Sequence, residues 1–331
     1  MISGGNENGK PSLVYIQAAS HSGSTLTAML LNAHPELVSI GELKATNIGD
    51  SSVYRCSCQE FLNDCKFWKK IADAMHRAGA DFELGASNTS LRDINSGYVQ
   101  RLLRPLHRGP FVEILRDLGL RISPTWRRGL SCWSKQNQAL VNSVLSVSGA
   151  RHIVDSSKIG IRLKYLIASG LFDIKVVRVV RDGRAVALTY MDPGGFADAR
   201  REENRGGGSG SGHHKALSMQ AAAHEWRRSN EEAESTARTL DDSTLMSIRY
   251  EQLCRDPDAV LRQLHRFIGV DHDDAYRRFK SQPHHVIGNG MRLDGSSDIV
   301  LDDRWKDVLG RTDLEKFDEI AGDLNRRYGF D

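Results

Sequence analysis

The sequence predicts an α/β protein: a central parallel sheet with flanking helices and a helical cap insertion. Three observations predict it. Apolar, β-rich runs at 13–16, 37–40, 152–154, 174–180 and 245–248 are separated mostly by helical patterns. The first run leads into a turn of small residues and then a helix. The stretch 60–148 carries helical patterns without a clear strand, as a cap over one end of a sheet would.

The first element is the most informative. Residues 13–43 read LVYIQAASHSGSTLTAMLLNAHPELVSIGEL. Leu13, Val14, Tyr15 and Ile16 suit a buried parallel strand. Ala18, Ala19, Ser20, Ser22, Gly23, Ser24 and Thr25 are small enough for a turn to close around an anion. Leu26, Met29, Leu30 and Ala33 then recur at helical spacing. The first N–H groups of a helix lack partners inside it, and the dipole adds positive potential there, so this arrangement suits phosphate. It is not a Walker A loop, which needs a Lys directly before its Ser or Thr; here Gly23 precedes Ser24 and Thr25. That argues against an ATPase or kinase.

The 331 residues, 40% hydrophobic and 26% charged, suffice for one large α/β domain or two small ones. A net charge of +3 is too weak to argue for nucleic acid. The start, MISGGNENGKPS, has no apolar segment of the kind a secretory signal needs, and no stretch is apolar and long enough to span a membrane. These features read as a soluble, cytoplasmic protein in a single domain over residues 1–331. The oligomeric state is not legible.

Five cysteines without a signal peptide argue against a disulfide framework. Cys56, Cys58 and Cys65 cluster in CSCQEFLNDCKFW. Three thiolates could ligate Zn(II) with a fourth ligand such as His76. The spacing is not that of a zinc ribbon, however, and a local disulfide or packing beside Phe67 and Trp68 is the preferred reading.

In the cap, 61–75, 98–106, 111–118 and 130–147 read as helices. Arg101, Arg104, Arg108, Arg116, Arg121, Arg127 and Arg128 read as a solvated basic face, with an acceptor-facing surface as the functional alternative. GGGSGSG at 206–212 has a linker composition, natural or engineered, in a stretch (192–214) expected to be mobile. A helical pattern covers 313–328.

Two further constellations point to the same sheet edge. Residues 174–190 read IKVVRVVRDGRAVALTY. The valines make a buried strand, Arg181 stands at its end, Asp182 can cap the next helix, and Thr189 lies on that helix. An Arg fork binds phosphate oxygens in pairs, so Arg181 and the Thr189 hydroxyl could hold a second phosphate. Residues 152–158 read HIVDSSK, and this strand delivers Asp155, Ser156, Ser157 and Lys158 to the edge, where a lysine can meet developing negative charge.

Together these blocks resemble the sulfotransferases that use 3′-phosphoadenosine 5′-phosphosulfate (PAPS), in the style of the bacterial, tyrosylprotein and heparan-type members. SHSGSTL resembles the family's 5′-phosphosulfate loop and VVRDGRAVALTY its 3′-phosphate strand and helix. SIRYEQLCRDP (247–257) resembles a block of the tyrosylprotein and related bacterial enzymes, and GNGMR (288–292) with Trp305 resembles the closing segment. The resemblance implies a P-loop-like fold and sulfuryl transfer from PAPS, leaving 3′,5′-adenosine bisphosphate, with no metal needed. It implies that Ser20, His21, Ser22, Gly23, Ser24 and Thr25 hold the 5′-phosphosulfate and Arg181 and Thr189 the 3′-phosphate. Tyr250 would lie near the adenine, and Arg292 would close over the 3′-phosphate. Glu42 falls at the place of the catalytic glutamate and Lys158 near that of a second catalytic lysine.

Two departures stand out. His21 replaces the family's usual Lys or Arg, and Gly183 replaces a frequent Pro, a change expected to alter only the loop. The implied mechanism makes Glu42 the base that deprotonates a hydroxyl or amine of a small-molecule, natural-product or glycan acceptor. His21 and Lys158 would stabilise the transferred and leaving groups. Should Glu42 not be the base, His107, His213 and His214 are the substitutes. The competing readings are a P-loop small-molecule kinase, which lacks its lysine, and a non-catalytic PAPS-binding module, which has no need of Glu42 or Lys158.

Overall fold

The computed structural model describes residues 9–45, 51–52, 54–85, 89–91, 109–196, 216–288 and 290–331. All five predicted strands form: β1 (Ser12–Ala18), β2 (Leu37–Gly41), β3 (His152–Lys158), β4 (Asp173–Val180) and β5 (Leu245–Arg249). They pair entirely in parallel, in the order β2-β3-β1-β4-β5. Parallel strands covered on both faces read as continuous apolar runs rather than alternating ones, and every residue of β1 is buried. The chain leaves β1 toward β2 and β3 on one side and places β4 and β5 on the other. The carboxyl end of β1 is therefore a switch point, the crevice where open α/β sheets bind ligands.

The two faces of β1 feed separate cores. Leu13 and Tyr15 pack with Trp68, Ile71, Trp133 and Val144 from the helices between β2 and β3. Val14, Ile16 and Ala18 pack with Met29, Leu30 and residues that follow β5. The strand-to-strand helices include α1 (Ser24–Asn32) after β1, α2 (Lys66–Arg77), α3 (Pro110–Ile122) and α4 (Pro124–Ser148) before β3, and α5 (Gly160–Ser169) after it. Helix α6 (Gly183–Met191) follows β4, and α7 (Met219–Ala237) packs on it through Trp226, Ala222 and Val186. After β5 come α8 (Tyr250–Arg255) and α9 (Pro257–Ile268), and residues 311–327 are helical with one π turn at Asp318–Gly322.

The expected helix at 98–106, the arginines Arg101, Arg104 and Arg108, the glycine-serine stretch, and His107, His213 and His214 lie outside the described residues. Of the remaining cap arginines, Arg121, Arg127 and Arg128 are exposed, but Arg116 is buried, so the face is not uniformly solvated.

A buried ion pair ties the helices between β2 and β3 to the sheet edge. Arg162 donates through Nε to Asp155 Oδ2 at 3.4 Å, through Nη1 to the Thr89 carbonyl at 2.8 Å and through Nη2 to Asn137 Oδ1 at 2.6 Å. Both charged groups are essentially inaccessible, at 1% and 0% exposure. The other oxygen of Asp155 accepts from the backbone N–H groups of Leu43 (3.1 Å) and Ser157 (2.9 Å), so the pair fixes the backbone just after Glu42. Removing one partner leaves an uncompensated buried charge. Arg162→Met should therefore cost about 3–5 kcal/mol in urea denaturation, and a loss under about 1 kcal/mol would contradict this role.

Candidate active site

The anion loop is built where β1 ends. His21 and Gly23 both take left-handed backbone, φ 63° and 86°, and α1 starts at Ser24 with Gly23 as its N-cap. A Cβ on Gly23 would lie 2.4 Å from Tyr250 Cδ2, so only glycine satisfies both the dihedral and the close approach. Ser22 is buried, and its hydroxyl meets no hydrogen-bond partner among the described residues. An orphaned hydroxyl in a small-residue loop at a helix N-terminus is the arrangement an anionic group completes, so these residues fit a phosphate or sulfate ester.

Arg181, directly after β4, straps this loop. Its Nη1 donates to the His21 carbonyl at 2.7 Å, and its guanidinium lies 4.5 Å from the centre of the Tyr250 ring. Its Nη2 donates to the carbonyl (2.9 Å) and carboxylate (3.0 Å) of Asp302. Arg181 thus already holds an anion. Asp182 accepts from the Arg184 N–H and caps α6 as expected. Thr189 is buried on that helix and donates to the Ala185 carbonyl at 3.3 Å. Gly183 is not a loop residue. It opens α6, its N–H donates to Asn325 Oδ1 at 2.8 Å, and a Cβ there would meet Phe317 at 2.4 Å. A proline could not make that hydrogen bond.

On the other side of β1, Lys158 Nζ donates to Glu42 Oε1 at 2.6 Å, and Lys44 Nζ lies 3.2 Å from Oε2. Glu42 is buried. Burial alone would raise its carboxyl pKa, but Lys158 and then Lys44 outweigh burial and hold it at about 2. Lys158 occupies the left-handed region at φ 71°, a sparsely populated conformation for a residue with a Cβ that the strand end and the Asp155 turn impose.

The structure thus brings Glu42 and Lys158 together and joins the turn residues to Arg181 and Tyr250. His21 places its ring edge-on to Tyr190 at 5.1 Å. Arg292 is buried over the Tyr54 ring, 4.7 Å from its centre, and donates to the Gly288 and Arg55 carbonyls, beside the Glu42 half of the site.

Sequence reasoning missed several residues. Gly41, at φ 86°, lets residue 287 pair with the end of β2, since a Cβ there would lie 1.9 Å from the Ile287 carbonyl oxygen. A glycine directly before an acid at a strand end was the available signal. Lys44 sits in the SIGELK motif but had no assigned partner. Gln17, wholly buried at the end of β1 beside Lys158 in register, has a carboxamide with no hydrogen-bond partner among the described residues. Asp302 carries no sequence signal at all.

Residues 124–274 match the model of the sulfotransferase family. No curated protein matches the chain. Among solved structures, the sulfotransferase domain from the curacin biosynthetic pathway aligns over 97% of this chain and 98% of its own, at 16% identity and a TM-score of 0.52. The sulfotransferase domain from the olefin synthase of Synechococcus PCC 7002 covers 97% and 96%, at 19% identity and a TM-score of 0.49. Sulfotransferase STF9 from Mycobacterium avium covers 97% and 77%, at 12% identity and a TM-score of 0.47. The chain thus resembles the sulfotransferase family in sequence over 124–274, and nearly its whole length shares the fold of the curacin-pathway sulfotransferase domain. The matched segment contains Lys158, Arg181, Thr189 and Tyr250; the turn residues, Glu42 and Arg292 lie outside it. No helix among the described residues is long and apolar enough to cross a membrane.

The depressed Glu42 pKa has a pH signature. Its ordinary value is 4.5 and its value here is about 2. The stabilisation is complete above about pH 4.5 and is lost as the pH falls through 2. Glu42→Gln should therefore unfold with a flatter acid limb than the parent, a difference on the order of 3 kcal/mol between pH 5 and pH 2 by denaturant titration. Superimposable acid limbs would contradict the ion pair.

Proposed function

We propose that the protein transfers the sulfuryl group of PAPS to a hydroxyl or amine of a small-molecule, natural-product or glycan acceptor, in the cytoplasm and within a single domain. The observation that carries the reading is the Glu42–Lys158 pair at the same sheet edge as an anion loop with an orphaned hydroxyl. PAPS supplies a sulfuryl group attached to a phosphate that leaves. In the protein, the N–H groups and hydroxyls of residues 20–25 bind the 5′ end. Arg181 releases Asp302 to take the 3′-phosphate, assisted by Thr189, whose hydroxyl has only a weak helix-internal bond to give up. Tyr250 backs both the loop and Arg181 and borders the adenine. Arg292, held beside Glu42, steadies the closing segment from that side.

Glu42 is the base. Clamped by two lysines it is too weak for the task, because a carboxylate titrating near 2 hardly competes for a proton at neutral pH. Lys158 must swing its ammonium toward the leaving phosphate, and the same movement that stabilises the departing charge restores basicity to Glu42. The acceptor is held for in-line attack, and the transfer depends on positioning and charge stabilisation. His21 donates to the loop's anion in place of the family's usual cation. The helices between β2 and β3, which border the Glu42 side, select the acceptor.

Isothermal titration with 3′,5′-adenosine bisphosphate beside ATP·Mg(II) tests the site. The bisphosphate should bind, Arg181→Ala should weaken it at least 10-fold, and ATP alone binding would contradict the reading. Glu42→Gln should bind the bisphosphate at least as tightly as the parent, since no ion pair to Lys158 has to be broken, while losing 100-fold or more in turnover with PAPS, by a general-base contribution of about 10²–10⁴. Retention of most activity would place the base elsewhere.

A further inference from the structure

Cys56, Cys58 and Cys65 are brought to one point with a histidine from far along the chain. It is His285 that completes the group, rather than His76. The ligand-capable atoms of the four residues all lie within 4.8 Å of one another. Cys65 Sγ is 3.3 Å from His285 Nδ1, Cys56 Sγ is 3.7 Å from the same nitrogen, and Cys58 Sγ is 3.7 Å from Cys65 Sγ. Of the two readings preferred from sequence, the local disulfide is not present, since all five cysteines are free, whereas the packing beside Phe67 and Trp68 is. A disulfide would need its sulfurs about 2.05 Å apart.

The spacing matches a different bond. A tetrahedral zinc ion with Zn–S near 2.3 Å and Zn–N near 2.0 Å sets its sulfur ligands about 3.7–3.8 Å apart and sulfur to nitrogen about 3.5 Å. We propose that Cys56, Cys58, Cys65 and His285 form a structural Zn(II) site of the Cys₃His type. Four protein ligands close the coordination sphere, so the ion is structural and takes no part in sulfuryl transfer. On binding, the three thiols release their protons to solvent and the imidazole coordinates through Nδ1.

The surroundings already orient the ligands. The Phe67 ring stacks on the His285 imidazole at 4.4 Å and 6° between planes. The Gln59 N–H donates to the Cys56 carbonyl at 3.0 Å, closing a turn that sets Cys56 and Cys58 side by side. Between them, Ser57 donates its N–H to the Val286 carbonyl (3.2 Å) and accepts the Val286 N–H at its hydroxyl (2.7 Å). Cys56 and Cys65 are buried while Cys58 and His285 are partly exposed, which leaves the ion a way in.

The site has a structural purpose. His285 is followed by Ile287, whose N–H donates to the Ile40 carbonyl at 2.9 Å, and by Gly288, which abuts Glu42. The Tyr54 hydroxyl accepts the Gly288 N–H at 2.9 Å, and Arg292 donates to the Arg55 carbonyl at 2.9 Å. A metal joining 56–65 to 285 therefore pins the segment that packs against the base.

Elemental analysis of the full chain, purified with zinc present and without chelator, should find one zinc per chain. Replacement by Co(II) should give thiolate-to-cobalt charge transfer in the near ultraviolet and the intense visible bands of a tetrahedral site. Cys65→Ser and His285→Ala should each lose most of the metal, while Cys132→Ser, with its thiol exposed on α4, should keep it. Stripping the metal from the parent should lower its melting midpoint by roughly 5–10 °C. Less than a tenth of a zinc per chain with no cobalt spectrum would overturn the proposal. So would a Cys58–Cys65 disulfide in the non-reduced peptide map.

Discussion

A carboxylate clamped between two lysines at the mouth of the sheet is the constraint from which the rest of the site follows. Glu42 is buried, and a buried carboxylate survives ionised only with compensating charge, here Lys158 at 2.6 Å and Lys44 at 3.2 Å. The clamp works only if the backbone on both sides is held. Asp155 does this by accepting from Leu43 and Ser157 while Arg162 neutralises its charge from within the core. Burial, charge and backbone geometry at Glu42 are thus one interdependent unit reaching from the sheet into α4.

The second half of the site obeys a similar logic with the signs reversed. Arg181 is nearly inaccessible and is held by the His21 carbonyl, the Asp302 carboxylate and the face of Tyr250. Tyr250 in turn fills the space that glycine leaves at position 23. The anion loop, the arginine and the segment around 302 are therefore tied to one another, and in the proposed function an incoming phosphate exchanges for a carboxylate rather than entering an open cation site. Such exchange lets the fold keep a buried guanidinium without leaving it uncompensated.

Much of this was legible in the sequence. The five strands were readable because parallel strands buried on both faces are continuous apolar runs, and residues 13–16 and 174–180 are such runs. The turn at 20–25 was readable because strand, small residues and helix are contiguous, and Arg181 because it directly follows a strand. What escaped depends on distance in the chain. His285 lies 220 residues from Cys65, and nothing local marks either as the other's neighbour. Asp302 is an ordinary acid in a polar stretch. Gly183 reads locally as a loop residue, but its role is set by Phe317, Trp226 and Asn325, all brought in by tertiary packing.

In the proposed function, occupation of the anion loop releases Glu42 from Lys158, and the Glu42 carboxyl itself reports that release. Its titration can be followed by the carbon-13 resonance of the labelled side chain, in the free protein and saturated with 3′,5′-adenosine bisphosphate. A pKa of about 2 is expected in the free protein and a value moved up toward the ordinary carboxylate range in the complex, as Lys158 turns to the 5′-phosphate. An unchanged pKa in a saturated complex would contradict it, leaving the pair as a fixed structural bridge.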